Sequence, residues 1–113
     1  MNDFLIAYKI TGGNEGGWVF DDNDSGKETY CGISRKYFPT WEGWATVDSN
    51  KPLRTGQIIK DIKLEYMVEE FYRHNFWNAI NGDNLPDQDT ANQVYDASVN
   101  IGVQEALKIY SQS

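Results

Sequence analysis

Glu15 stands in the run Glu15-Gly16-Gly17-Trp18. Asp24 follows nine positions on, inside the turn-forming stretch Asp21-Asp22-Asn23-Asp24-Ser25-Gly26, and Thr29 lies five positions beyond that. Two carboxyl groups in such loops suit cleavage of a glycosidic bond. One, protonated, gives its proton to the leaving oxygen; the other stabilises an oxocarbenium-like centre or activates water. Glycines at 16 and 17 let a bulky sugar approach the backbone, and the Trp18 ring would help desolvate the acid and raise its pKa toward neutrality. Asp24, folded back across the turn, would be aimed at the same cleft, and the Thr29 hydroxyl would orient a water. By residue type alone, a glutamate among glycines is more often a solvated loop acid, Asp24 serves equally well as a turn-former bonding its own backbone, and Thr29 reads as an ordinary strand residue.

Other chemistries fit less well. Placing Gly26 at the invariant glycine of an EF-hand loop puts Asp21, Asn23 and Ser25 at ligand positions, but the closing bidentate Glu then falls on Gly32, so no metal site is expected. Cys31 and His74 are single representatives of their types, which excludes an internal disulfide and a Cys/His zinc cluster. No nucleophilic Ser or Cys motif accompanies His74. Seventeen acidic against ten basic residues give a net charge of −7, with the bases scattered, which argues against nucleic acid as a partner. Trp41, Trp44 and Trp77 are large enough to stack on sugar faces, although aromatic residues in a small domain more commonly fill its core.

The elements that would position these residues can be read from periodicity and turn chemistry. At 113 residues and 40% hydrophobic composition, the chain is expected to form a single domain with one modest core, spanning residues 1–113. Residues from about Asp3 to Ile10 read as a short helix stopped by Gly12-Gly13. Trp18-Val19-Phe20 and Thr29-Tyr30-Cys31 are strand-prone triplets around the Asp/Asn/Gly run, which predicts a small hairpin. Ser34 is a candidate cap for a helix through Phe38, and Trp41 to Pro52 reads as an irregular connection. Thr55 is a candidate N-cap for a long helix to about Phe76, with Ile58, Ile59, Ile62, Tyr66, Met67, Val68, Phe71 and Tyr72 largely on one side. Two more helical stretches, separated near Gly102, follow the turn-rich break at residues 81–86. The layout is α+β, mainly α, with a small β-hairpin beside a helical bundle.

Glu15-Gly16-Gly17-Trp18, then Asp24-Ser25-Gly26, then Thr29-Tyr30-Cys31-Gly32-Ile33 resembles the N-terminal signature of glycoside hydrolase family 108 muramidases. Tyr72-Arg73-His74-Asn75-Phe76-Trp77 is similar to the family's Tyr-x-x-x-aromatic-Trp pattern at a helix end, and Asp96 to Gly102 to its Asp-x-x-x-Asn-x-Gly helix. The Glu, Asp, Thr order is also similar to that of phage lysozymes. This resemblance implies a lysozyme-like fold and hydrolysis of peptidoglycan between N-acetylmuramic acid and N-acetylglucosamine, with Glu15 as the catalytic acid. Asp24 and Thr29 become its expected helpers, and Trp18, Tyr30 and Trp77 the residues expected to meet the glycan; no metal or organic cofactor is implied. The sequence departs from the family pattern at Ser25-Gly26-Lys27, where a glycine pair is usual, and in extra residues Thr11 to Asn14, and it is expected to lack the usual C-terminal peptidoglycan-binding region.

Two rival classes stay open: a non-catalytic wall-binding or secretion-accessory module, and a lytic transglycosylase, which needs one acid and makes an anhydro product. The acidic charge gives no long-range attraction to an anionic cell wall. No basic n-region opens the chain and no stretch approaches eighteen apolar residues. The expectation is synthesis in the cytoplasm and action on the wall after release by a holin-type or other non-classical route.

Overall fold

The computed structural model describes residues 1–13, 16–23 and 27–112. Five α-helices and a three-stranded antiparallel sheet are described, and the chain divides into two compact units, residues 1–13 with 69–113 and residues 14–68.

In the first unit, helix α1 (Phe4–Thr11) opens on Asp3, whose carboxylate accepts the Leu5 N–H, and ends at Gly12, with φ 84°. Both ends follow local rules: a capping carboxylate at the start, and at the stop a left-handed residue that costs glycine nothing. Helix α4 (Gln88–Ile101) begins at the Asp87 cap, packs on α1, and yields at Gly102 to α5 (Val103–Gln112). Phe4, Trp77 and Tyr95 form an edge-to-face aromatic cluster, with ring centroids 5.6–6.1 Å apart, among Ala7, Ile80 and Ala91.

In the second unit, strands β1 (Trp18–Asp21), β2 (Lys27–Tyr30) and β3 (Ile33–Ser34) lie in sequence order. The first hairpin pairs Trp18 with Tyr30 and Val19 with Thr29. Cys31 and Gly32, at φ 49° and 81°, connect β2 to β3. A two-residue loop with both φ values positive matches the right-handed twist of the strands it joins. The expected ribbon therefore has a third strand. Ser34 belongs to it, and residues 35–37 form turns where a capped helix was expected.

Two further expectations change. The stretch after Trp41 contains helix α2 (Gly43–Ser49), whose Trp44 and Val47, one turn apart, are both buried. Helix α3 runs Ile62–Tyr72 and continues as a π-helical turn, Arg73–Trp77. It does not start at Thr55, because residues 56–59 are bound to the sheet: the Gly56 N–H donates to the Trp18 carbonyl (2.7 Å), the Gln57 carbonyl accepts the Trp18 N–H (3.0 Å), and the Ile59 N–H donates to the Tyr30 hydroxyl (2.9 Å). Amides used this way cannot also close helical turns. In Thr55's place, the Asp61 carboxylate accepts the Leu64 N–H at the start of α3.

Candidate active site

The hairpin carries three of the candidate residues, Trp18, Thr29 and Tyr30. On β2 the side chains alternate in burial, with Glu28 and Tyr30 inside and Lys27 and Thr29 half-buried. Tyr30 on an inward face is ordinary; Glu28 is not. Its side chain is only 8% exposed, so its carboxylate needs partners to offset the loss of water. Three donors supply them: the Trp18 indole N–H at 2.8 Å, the Lys51 ammonium at 2.8 Å and the Arg35 guanidinium at 3.1 Å. Asp48 at the end of α2 closes the network, taking two bonds from Arg35 at 2.8 Å each and one from Lys51 at 2.9 Å. The Arg35 guanidinium also lies over the Trp44 ring, 5.0 Å from its centroid. Strands β1 and β2, the turn after β3 and both the body and the end of α2 are thus joined through one buried carboxylate.

Burial is the largest influence on Glu28 and pushes its pKa up, but the bonds from Lys51, Trp18 and Arg35 together bring it below the ordinary glutamate value. Asp48, with Arg35 and Lys51 against it, is held well below the usual carboxylate range. Glu28 is therefore an ionised anchor at neutral pH and has no proton to donate.

Trp18 is half-buried, with its indole nitrogen held by Glu28 and its ring stacked on Phe20 at 6.4 Å. Its backbone is bonded on both sides to Gly56 and Gln57. Preceding it, Gly17 has φ 53°, and a Cβ there would fall 2.5 Å from the carbonyl oxygens of Gly56 and Gln57. The second glycine of the Glu-Gly-Gly run thus lets the loop entering β1 lie directly on the 56–57 backbone.

A model of the family described as Glycosyl hydrolase 108 matches residues 8–102 of this chain. The chain belongs to that family. No curated protein and no solved structure matches it. A glycosyl hydrolase acts on a glycan, and the matched span contains every residue singled out above for chemistry.

Within this glycosyl hydrolase, the expected site residues fall into three groups. Glu15 and Asp24 lie outside the described residues. Thr29 and Trp18 are half-buried on adjacent strands, Thr29 one residue along β2 from Tyr30, the partner of Trp18. Tyr30 and Trp77 are core residues. Tyr30 is 2% exposed, with its hydroxyl occupied by the Ile59 N–H; Trp77 is fully buried in the first unit and donates its indole N–H to Asp83 at 2.9 Å. Rings enclosed in this way offer no face to a sugar, which corrects the expectation that they bind substrate. Trp44 is likewise buried and bonded to the Phe38 carbonyl. Asp96 accepts the Thr11 hydroxyl at 3.0 Å, tying the end of α1 to α4. Among the described residues, no group of three or more His, Cys, Asp or Glu side chains could hold a metal ion, and no helix is long and apolar enough to cross a membrane.

Glu28, Arg35, Lys51 and Asp48 were not singled out by their sequence. One signal was present: period-two alternation puts Glu28 on the same face of β2 as Tyr30, and an acid on a core-facing position needs a partner. Which cations answer it is not written locally, since Lys51 is twenty-three residues away.

Proposed function

We propose that this glycosyl hydrolase cleaves peptidoglycan glycan strands between N-acetylmuramic acid and N-acetylglucosamine, with Glu15 as general acid and Asp24 and Thr29 supporting the opposite face of the sugar. The reading rests chiefly on membership of the Glycosyl hydrolase 108 family across residues 8–102. The state of Glu28 supports it. Glu28 is the one buried carboxylate among the described residues, and its three donors keep it ionised, so it does not compete with Glu15 for the role of proton donor.

The test is digestion of purified peptidoglycan by the protein and by Glu15→Gln, followed by mass analysis of the released muropeptides. Products carrying one added water and a muramic acid reducing end are expected from the unaltered chain, with a loss of about a hundredfold or more in the variant. Equal release by both proteins overturns the Glu15 assignment. Anhydro products would identify a lytic transglycosylase instead, and glycan binding without any release a non-catalytic module.

A further inference from the structure

The backbone that braces Trp18 also forms the floor of a second feature. Residues Asn50, Arg54, Gln57, Ile58, Ile59 and Lys60 line an open groove of about 440 Å³ in the second unit. In a chain of net charge −7, the described residues of this lining include two cations and no acid. Two other cations of this unit are committed to acids: Lys51 pairs with Glu28 and Asp48, and Arg35 with the same two carboxylates. Arg54 and Lys60, both exposed, pair with no acid among the described residues. The loop beneath them is held in shape. Gly56 turns at φ 84°, the Gln57 amide oxygen accepts the Arg54 N–H at 3.0 Å, and the Gln57 N–H donates to the Arg54 carbonyl at 3.0 Å.

We infer that this groove is a subsite for a carboxylate-bearing substituent of the glycan, the peptide stem attached to muramic acid, gripped by Arg54 and Lys60. The inference rests on the peptidoglycan reading above. Arg54 offers a planar fork of N–H donors suited to a carboxylate and Lys60 a compact ammonium, so together they match a ligand with more than one carboxylate along an extended backbone. Gln57 also braces β1. Its carbonyl bonds the Trp18 N–H, so a ligand in the groove rests on the segment that holds the strand three residues beyond Glu15. The subsite also answers the unfavourable overall charge: a local pair of cations attracts an anionic wall component at short range, where screening by salt is weakest.

Binding separates this inference from turnover. Glu15→Gln protein is sedimented with intact sacculi, carrying peptide stems, and with glycan strands stripped of stems by an amidase. The groove is removed by Arg54→Gln with Lys60→Gln, and its charge restored by Arg54→Lys with native Lys60. The Glu15→Gln protein is expected to bind intact sacculi more tightly than stripped strands, and the double substitution to weaken only the former, about three- to tenfold at low salt, as expected for two solvent-exposed charge pairs. The charge-restoring variant should recover most of the loss. Equal binding of intact sacculi with and without the two cations overturns the subsite, as does an equal loss on both substrates. A failure of the Glu15 assignment appears in the digestion assay alone and leaves this binding comparison intact.

Discussion

Replacing Glu28 with alanine tests whether the buried carboxylate holds the hairpin together. The substitution removes the acceptor for Trp18 and one partner each from Arg35 and Lys51, while both cations keep Asp48. A half-buried indole N–H without a partner costs about 1–2 kcal/mol. Each ion pair joins a buried carboxylate to a side chain about one-third exposed, at 34% for Arg35 and 36% for Lys51, so each contributes roughly 0.5–1 kcal/mol after solvent screening. The sum is about 2–4 kcal/mol. Glu28→Gln keeps a carbonyl oxygen for one donor and should lose about half as much, and Asp48→Ala, at a more exposed site, less again. Each kcal/mol corresponds to a fall of about 3–5 °C in Tm for a chain of this size. Thermal unfolding followed by circular dichroism and by Trp fluorescence measures both the loss and the ordering. The pH dependence supplies an independent check. Because the native pKa of Glu28 lies below its ordinary value of 4.5, its contribution is fully present above that value and is lost as pH falls through the native pKa. The advantage of the unaltered protein over Glu28→Gln should thus be constant from pH 6 to 7 and shrink below about pH 4.5. A loss under about 0.5 kcal/mol for Glu28→Ala, within the range of ordinary surface substitutions, would refute the reasoning.

Two other outcomes follow from the same unit. Cys31 is 3% exposed, and burial pushes its thiol up to about 11, so alkylation at pH 8 should be slow in the native protein and fast in denaturant; native labelling at the denatured rate would contradict this placement. Gly17→Ala adds a methyl group at φ 53°, against the carbonyl oxygens of Gly56 and Gln57, and should cost roughly 2–4 kcal/mol in denaturant unfolding. Gly16→Ala, at φ 100° with no described atom within 4 Å of its Cβ position, adds backbone strain without a clash and should cost less, and equal losses would show that contact with residues 56–57 is not what Gly17 provides.

Several features of this glycosyl hydrolase are written in short stretches of sequence. Gly12 ends α1 where a left-handed residue is needed, strand-forming triplets flank the Asp/Asn/Gly run of the hairpin, and Gly102 separates α4 from α5. The family signature around Glu15 belongs to this local class as well. Each depends on backbone preferences or residue order within a few positions, so no distant partner has to be known. Tertiary structure decided the rest. Ile58 and Ile59 continue the helical periodicity of α3, yet residues 56–59 stay outside the helix because Trp18 and Tyr30 claim their backbone groups. Trp77 and Tyr30 have the chemistry of sugar platforms, but the packing around them encloses their rings. Glu28 shows the division most clearly. Strand alternation places it facing inward, but whether an inward carboxylate becomes a proton donor or an ionised anchor depends on how many donors reach it. Lys51, Arg35 and Trp18 come together only when the strands and α2 are packed, and their combined hydrogen bonds outweigh the cost of burial.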